Sequence, residues 1–240
     1  MTAKKFMKKV TIFITLFGFV INSCKQPAKK KNFEGIIYYS IIFTPKSPIN
    51  NNYTLFQKSR YGDVMKLYVS STGDFRREFP NSEGSGFQSI LYKTATNKHL
   101  MQWRNNDTIY ASTAAVNSLK FVSEEQLPDE NIKGHLCKCY TVWGVITKNR
   151  QPVSFTYFYP ADKEYIDPDL YKNYNDFLYN KAISKMKAPY YKLIMDMGKY
   201  SITLVMESIE AATLDSDIFK NPAIYPVMEK LQKPMTGVGR

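Results

Sequence analysis

From Phe33 onward the chain alternates with a two-residue period. Phe33, Ile37, Tyr39, Ile41 and Phe43 fall on one side, with Gly35 among them, and the more mixed Glu34, Ile36, Tyr38, Ser40 and Ile42 on the other. This predicts a long strand over Phe33–Phe43 that ends at Thr44-Pro45, then a loop through Pro48 and Asn50-Asn51-Asn52. Shorter runs predict strands at Asp63–Ser70, Asp74–Phe79, Phe87–Thr94, Lys98–Arg104 and Thr108–Ser112. The breaks between them carry turn chemistry: Ser71-Thr72-Gly73, Asn81 to Gly86, Thr96-Asn97 and Asn105-Asn106-Asp107. Such spacing describes an antiparallel meander with no helical period.

After a looser stretch from Asn117 to Asp129, apolar character resumes over Ile132–Ile146. A turn at Lys148-Asn149-Arg150 leads to Val153–Tyr159, where Val153, Phe155, Tyr157 and Tyr159 alternate with more polar residues. Only Asp169–Lys185 reads as a helix. Asp167 can cap it, Pro168 suits its first position, and Leu170, Tyr174, Phe177, Leu178 and Ile183 recur at helical spacing. Strands over Tyr190–Met197 and Lys199–Ile209 flank Gly198.

The first residues follow different rules. Lys4, Lys5, Lys8 and Lys9 precede an uncharged run from Val10 to Ile21. As a helix it would span about 18 Å, too short for a hydrocarbon core of about 30 Å. The run closes on Ile21-Asn22-Ser23-Cys24, which resembles the lipobox of bacterial lipoproteins. The expected organisation is a signal peptide over 1–23, a lipidated tether over 24–32 anchored to a membrane by acylated Cys24, and one domain over 33–240.

That division changes the meaning of the charge. The full chain carries 33 Lys+Arg against 21 Asp+Glu, a net +12. Removing residues 1–23 takes four lysines and no acid and leaves +8; a further four lysines lie at positions 25, 29, 30 and 31, so the folded body carries +4. The basic character belongs mainly to leader and tether, suits anionic headgroups, and gives no support to nucleic-acid binding. Arg76-Arg77 reads as a solvated strand edge. The cationic tether, unlike the acidic one of surface-exported lipoproteins, points to the periplasmic side of the envelope, at the outer membrane.

Candidate chemistry is sparse. His135-x-Cys137-x-Cys139, with His99 as a conceivable fourth group, offers soft ligands. On a strand, however, the outer two Cα atoms stand about 13 Å apart, so no metal site is expected. Cys137 and Cys139 are too divergent for a comfortable bridge and read as buried thiols. The carboxylate pairs Glu124-Glu125, Asp129-Glu130 and Asp215/Asp217 fall in expected loops. Neither a phosphate-binding glycine loop nor a Gly-x-Ser-x-Gly elbow occurs, and no cofactor or enzymatic activity is expected.

Four features together resemble a known superfamily: the opening Phe33-x-Gly35-x-Ile37-x-Tyr39, the segment Gly134-His-Leu-Cys-Lys-Cys-Tyr-Thr141, the strand ending Tyr157-Phe-Tyr-Pro160, and Leu214-Asp-Ser-Asp-Ile-Phe219-x-x-Pro222. They are similar to the outer-membrane lipoprotein-sorting and carrier (LolA-like) superfamily, especially its uncharacterised lipoprotein relatives in Gram-negative envelopes. The resemblance implies a mainly β (α+β) fold, a curled antiparallel sheet or incomplete β-barrel wrapped around helical segments. It also implies an apolar concavity, with Ile37, Tyr39, Ile41, Phe43, Met65, Leu67, Phe155, Tyr157 and Leu204 as expected lining. The expected function is non-enzymatic binding of a lipid, acyl chain or lipidated partner. The alternative is a scaffold subunit of an envelope complex with a filled core. Unlike the soluble carriers, this chain carries its own expected anchor.

Overall fold

The computed structural model of the chain describes residues 30–115, 118–162, 164–221 and 226–229. Cys24, the leader before it and Pro222 lie outside the described residues. The body starts at Asn32, whose side-chain amide donates to the Ser71 carbonyl at 2.9 Å and accepts from the Asp167 amide at 2.8 Å. The last residue of the expected tether is thus held by the fold.

Twelve strands form a single sheet. In chain order they are β1 (Gly35–Pro45), β2 (Val64–Val69), β3 (Phe75–Glu78), β4 (Phe87–Lys93), β5 (Lys98–Trp103), β6 (Ile109–Thr113), β7 (Leu119–Ile132), β8 (His135–Ile146), β9 (Pro152–Tyr159), β10 (Lys192–Asp196), β11 (Tyr200–Ala211) and β12 (Val227–Glu229). Their spatial order is β12-β6-β5-β4-β3-β2-β1-β11-β10-β9-β8-β7. Two meanders, β1–β6 and β7–β11, are thus sewn together by antiparallel pairing of β1 with β11. All pairings are antiparallel except that of β12 with β6. β12 and β7 stand at opposite ends of the sheet, which therefore does not close into a barrel.

The expected strands match closely; three other expectations do not hold. The loop expected after Pro45 contains α1 (Asn51–Tyr61), preceded by a 3-10 turn at Pro48–Asn50. Its fully buried residues, Thr54 and Gln57, are polar, so it carries no apolar stripe. The stretch beyond Asn117 that looked loose is β7, a 14-residue edge strand most of whose side chains face solvent, which erases the alternation. The helix expected over Asp169–Lys185 breaks into 3-10 turns at Pro168–Tyr171 and Asp176–Leu178, then α2 (Tyr179–Met186). Phe177 and Leu178 adopt φ of 51° and 58°, the left-handed region, and this interrupts the helix. Asp167 caps the first turn as expected, its carboxylate accepting from the Asp169 amide at 3.1 Å.

This segmented helical layer covers one face of the sheet and reports its curvature. Phe75 on β3 lies 6.4 Å from Tyr171, Tyr171 lies 5.6 Å from Tyr179, and Tyr179 lies 6.4 Å from Tyr157 on β9. Strands β3 and β9 are five places apart in the sheet, roughly 24 Å at about 4.8 Å per step if flat. Three ring-to-ring steps cannot reach that far, so the sheet must bend around the helices. Gly144 on β8 permits the closest approach, since a Cβ there would stand 2.9 Å from the Leu178 side chain.

Candidate functional site

Antiparallel register decides which side chains share the concave face, because directly paired residues point the same way. One row crosses the sheet through Ile209, Ile37, Leu67, Arg77, Ile90, Met101 and Tyr110. A second runs through Met206, Tyr39 and Met65. A third joins Tyr140, Tyr157, Leu193, Leu204 and Ile41, and a fourth Phe155, Met195, Ile202 and Phe43. All nine residues expected to line a concavity therefore lie on the one concave face. Eight of them are buried, Ile37 and Phe155 completely, and only Phe43 retains partial exposure.

Two coverings lie over this face. At one end the helical layer presses Tyr171, Tyr174, Phe177, Leu178 and Tyr179 onto Phe75, Tyr92, Phe155 and Tyr157. At the other, α1 sets Tyr61 against Phe43, Phe79 and Phe87, and Tyr53 against Tyr200. Between them Phe43, Arg77, Ile90, Met195 and Ile202 remain partly accessible although their strands are flanked on both sides. Phe43, Ile90, Met195 and Ile202 pack against the core from these positions without being fully buried. A surface hollow of about 600 Å³ lies beside α1, bordered by Leu55, Phe56, Asn81 and Glu83.

Arg77 was expected at a solvated edge, and the structure corrects this. β3 lies between β2 and β4, and Arg77 points inward with its guanidinium 4.8 Å from the Phe75 ring. Its Nε is buried and makes no hydrogen bond. The sequence did hold a signal: Arg77 keeps the same phase as Phe75 and Phe79, both buried. Its neighbour Arg76 faces the other way, with Nε 2.9 Å from Glu78 and a terminal nitrogen donating to the Ile218 carbonyl.

Tyrosines surround Arg77. Tyr174 donates toward the Asp176 carboxylate at 3.5 Å and stands 3.1 Å from His99 Nε2, while Tyr39 donates to the Tyr190 carbonyl at 2.8 Å. Burial holds the phenols of Tyr39, Tyr157, Tyr171 and Tyr174 well above their ordinary pKa, so they stay protonated. Burial also lowers the pKa of His99, helped by the Arg77 charge and opposed by Asp176. The resulting cluster is neutral tyrosine, neutral histidine and one fixed cation within an apolar shell.

Other sequence candidates lie apart from this cluster. Cys137 and Cys139 are buried and form no disulfide, and burial raises the Cys139 pKa to about 11. The His135 ring packs edge-on to Tyr191 at 5.2 Å. Glu124-Glu125 and Asp129-Glu130, expected in loops, extend along β7, where Asp129 meets Lys138 at 2.7 Å and Glu130 meets Lys192 at 2.9 Å. Asp215 caps the turn Ser216–Phe219 by accepting from the Asp217 amide.

No protein-family model matches the sequence, and no curated protein matches it. Among solved structures the fold is similar to that of the Mycobacterium tuberculosis lipoprotein LppX, with a TM-score of 0.37 and 10% identity over 76% of this chain and 90% of that one. At that distance the likeness lends no weight to any ligand or activity. The class is defined by the molecule's own geometry: a mainly β protein whose open, curled sheet wraps a helical layer.

Proposed function

We propose that this chain is a non-enzymatic envelope lipoprotein, held to the periplasmic face of the outer membrane by acylated Cys24, that binds an apolar ligand in a groove between its two coverings. One observation carries the reading: concave-face side chains on interior strands stay partly accessible where a filled core would bury them. Aromatic and aliphatic walls suit a lipid or acyl chain. Under this reading Phe43 lines the groove, and the other eight residues named from the sequence belong to the buried core around it.

Native mass spectrometry of the protein purified from its own membranes tests this. A non-covalent adduct of lipid mass, lost on organic extraction, is the expected result. Protein carrying only its covalent acyl group, together with a stoichiometric protein partner, would overturn it in favour of a scaffold role. One feature favours that second reading: β7 is a long free edge, and Phe121, Val122 and Trp143 are exposed on it and on adjacent β8.

A further inference from the structure

We propose that the groove takes a single-chain amphiphile with a small monoanionic head, a fatty-acid carboxylate, and that Arg77 is the residue that holds the head. The inference rests on the binding reading above and names its ligand class. Arg76 and Arg104 have a carboxylate or several carbonyls as partners. Arg76 is paired with Glu78 and the Ile218 carbonyl, and Arg104 donates to the Ser82 hydroxyl and to the Phe79 and Pro80 carbonyls. Arg77 differs. Its register neighbours Leu67 and Ile90 are apolar, its buried Nε makes no hydrogen bond, its side-chain hydrogen bond is to the neutral Tyr174 hydroxyl, and among the described residues no carboxylate stands at ion-pair distance.

A buried guanidinium with no carboxylate at ion-pair distance can receive one on its planar fork as a charge-assisted, two-point pair. Nearby hydroxyls are not equally free: those of Tyr39 and Tyr174 are committed, whereas that of Tyr179 makes no hydrogen bond among the described residues and can donate to the same head. Asp176 is the acid whose charge acts on the guanidinium, and it disfavours a dianionic head such as a phosphate monoester. Ile90 and Phe43 offer apolar surface for the chain.

The test uses full-length protein in neutral detergent, with displacement of an uncharged fluorescent apolar probe by palmitate, hexadecanol and hexadecyl phosphate. Wild type should bind palmitate at least tenfold tighter than hexadecanol and tighter than hexadecyl phosphate. Arg77→Met should bind both C16 ligands equally, and Arg77→Lys should keep part of the preference. Equal binding of palmitate and hexadecanol by wild type would overturn the head-group assignment and leave the groove standing. Preference for hexadecyl phosphate, or a palmitate preference that survives in Arg77→Met, would also overturn it. If no ligand displaces the probe, the groove reading falls as well. Should Arg77→Met fail to fold, the wild-type comparison and Arg77→Lys decide the matter alone.

Discussion

Arg60 from the α1 covering and Arg77 from the sheet both lean on aromatic rings of the concave face, yet their surroundings differ in kind. Arg60 projects from α1 with its guanidinium 5.0 Å from Trp103 and 5.1 Å from Phe87, and the residue remains partly exposed. Arg77 rises from the sheet itself among tyrosines, with its Nε sealed from water. The α1 end is built of Phe43, Phe79, Phe87, Trp103 and a few tyrosines around a cation that keeps water contact. The opposite end uses buried hydroxyls as well as rings, with Tyr174 joined to both His99 and Asp176. Ring contacts alone are non-directional, whereas a satisfied buried network fixes one arrangement. The tyrosine end therefore carries the stability and specificity of the fold, and α1 is the covering more easily disturbed.

The largest effect should come from Tyr174→Ala. Tyr174 is 1% exposed and touches Phe75, Tyr92, His99, Tyr171 and Tyr179, so its truncation should cost about 3–5 kcal/mol in guanidinium chloride unfolding. A loss below about 1 kcal/mol would erase the distinction between the two ends. An intermediate effect should appear with pH. His99 is held neutral in the folded state, with a pKa below that of the unfolded chain, so the unfolded state binds the extra proton first. Stability should be fully present above about pH 6.5 and decline as pH falls through the folded-state pKa. In His99→Gln that share of the decline should vanish, as read from urea midpoints between pH 7 and 5. The smallest effect belongs to Arg60→Ala, about 0.5–1 kcal/mol with a change in Trp103 fluorescence; a loss as large as that of Tyr174→Ala would invert the comparison.

How much of this was legible in the sequence follows from which patterns burial imposes. Strands with one face buried alternate, so β1–β6 and β8–β11 could be read to within a few residues. α1 was hidden because Asn51–Tyr61 turns Thr54 and Gln57 inward, and β7 because an edge strand facing solvent on both sides has no phase to betray it. The helical period around Tyr174 was real, but the left-handed Phe177 and Leu178 split it, which no periodicity could announce. Alternation was enough to put the nine apolar positions on one face of the sheet, but not to tell that only Phe43 among them stays partly exposed. Arg77 was missed because two adjacent arginines suggest a polar surface, although only one of them shares the phase of Phe75 and Phe79.

The gap between β12 and β7 has a mechanical consequence. A closed barrel has its radius fixed by strand number and stagger, and cannot widen without breaking its ladder. Here the bend is set by what the sheet wraps, so its girth can follow the bulk of its contents while every interior strand keeps both neighbours.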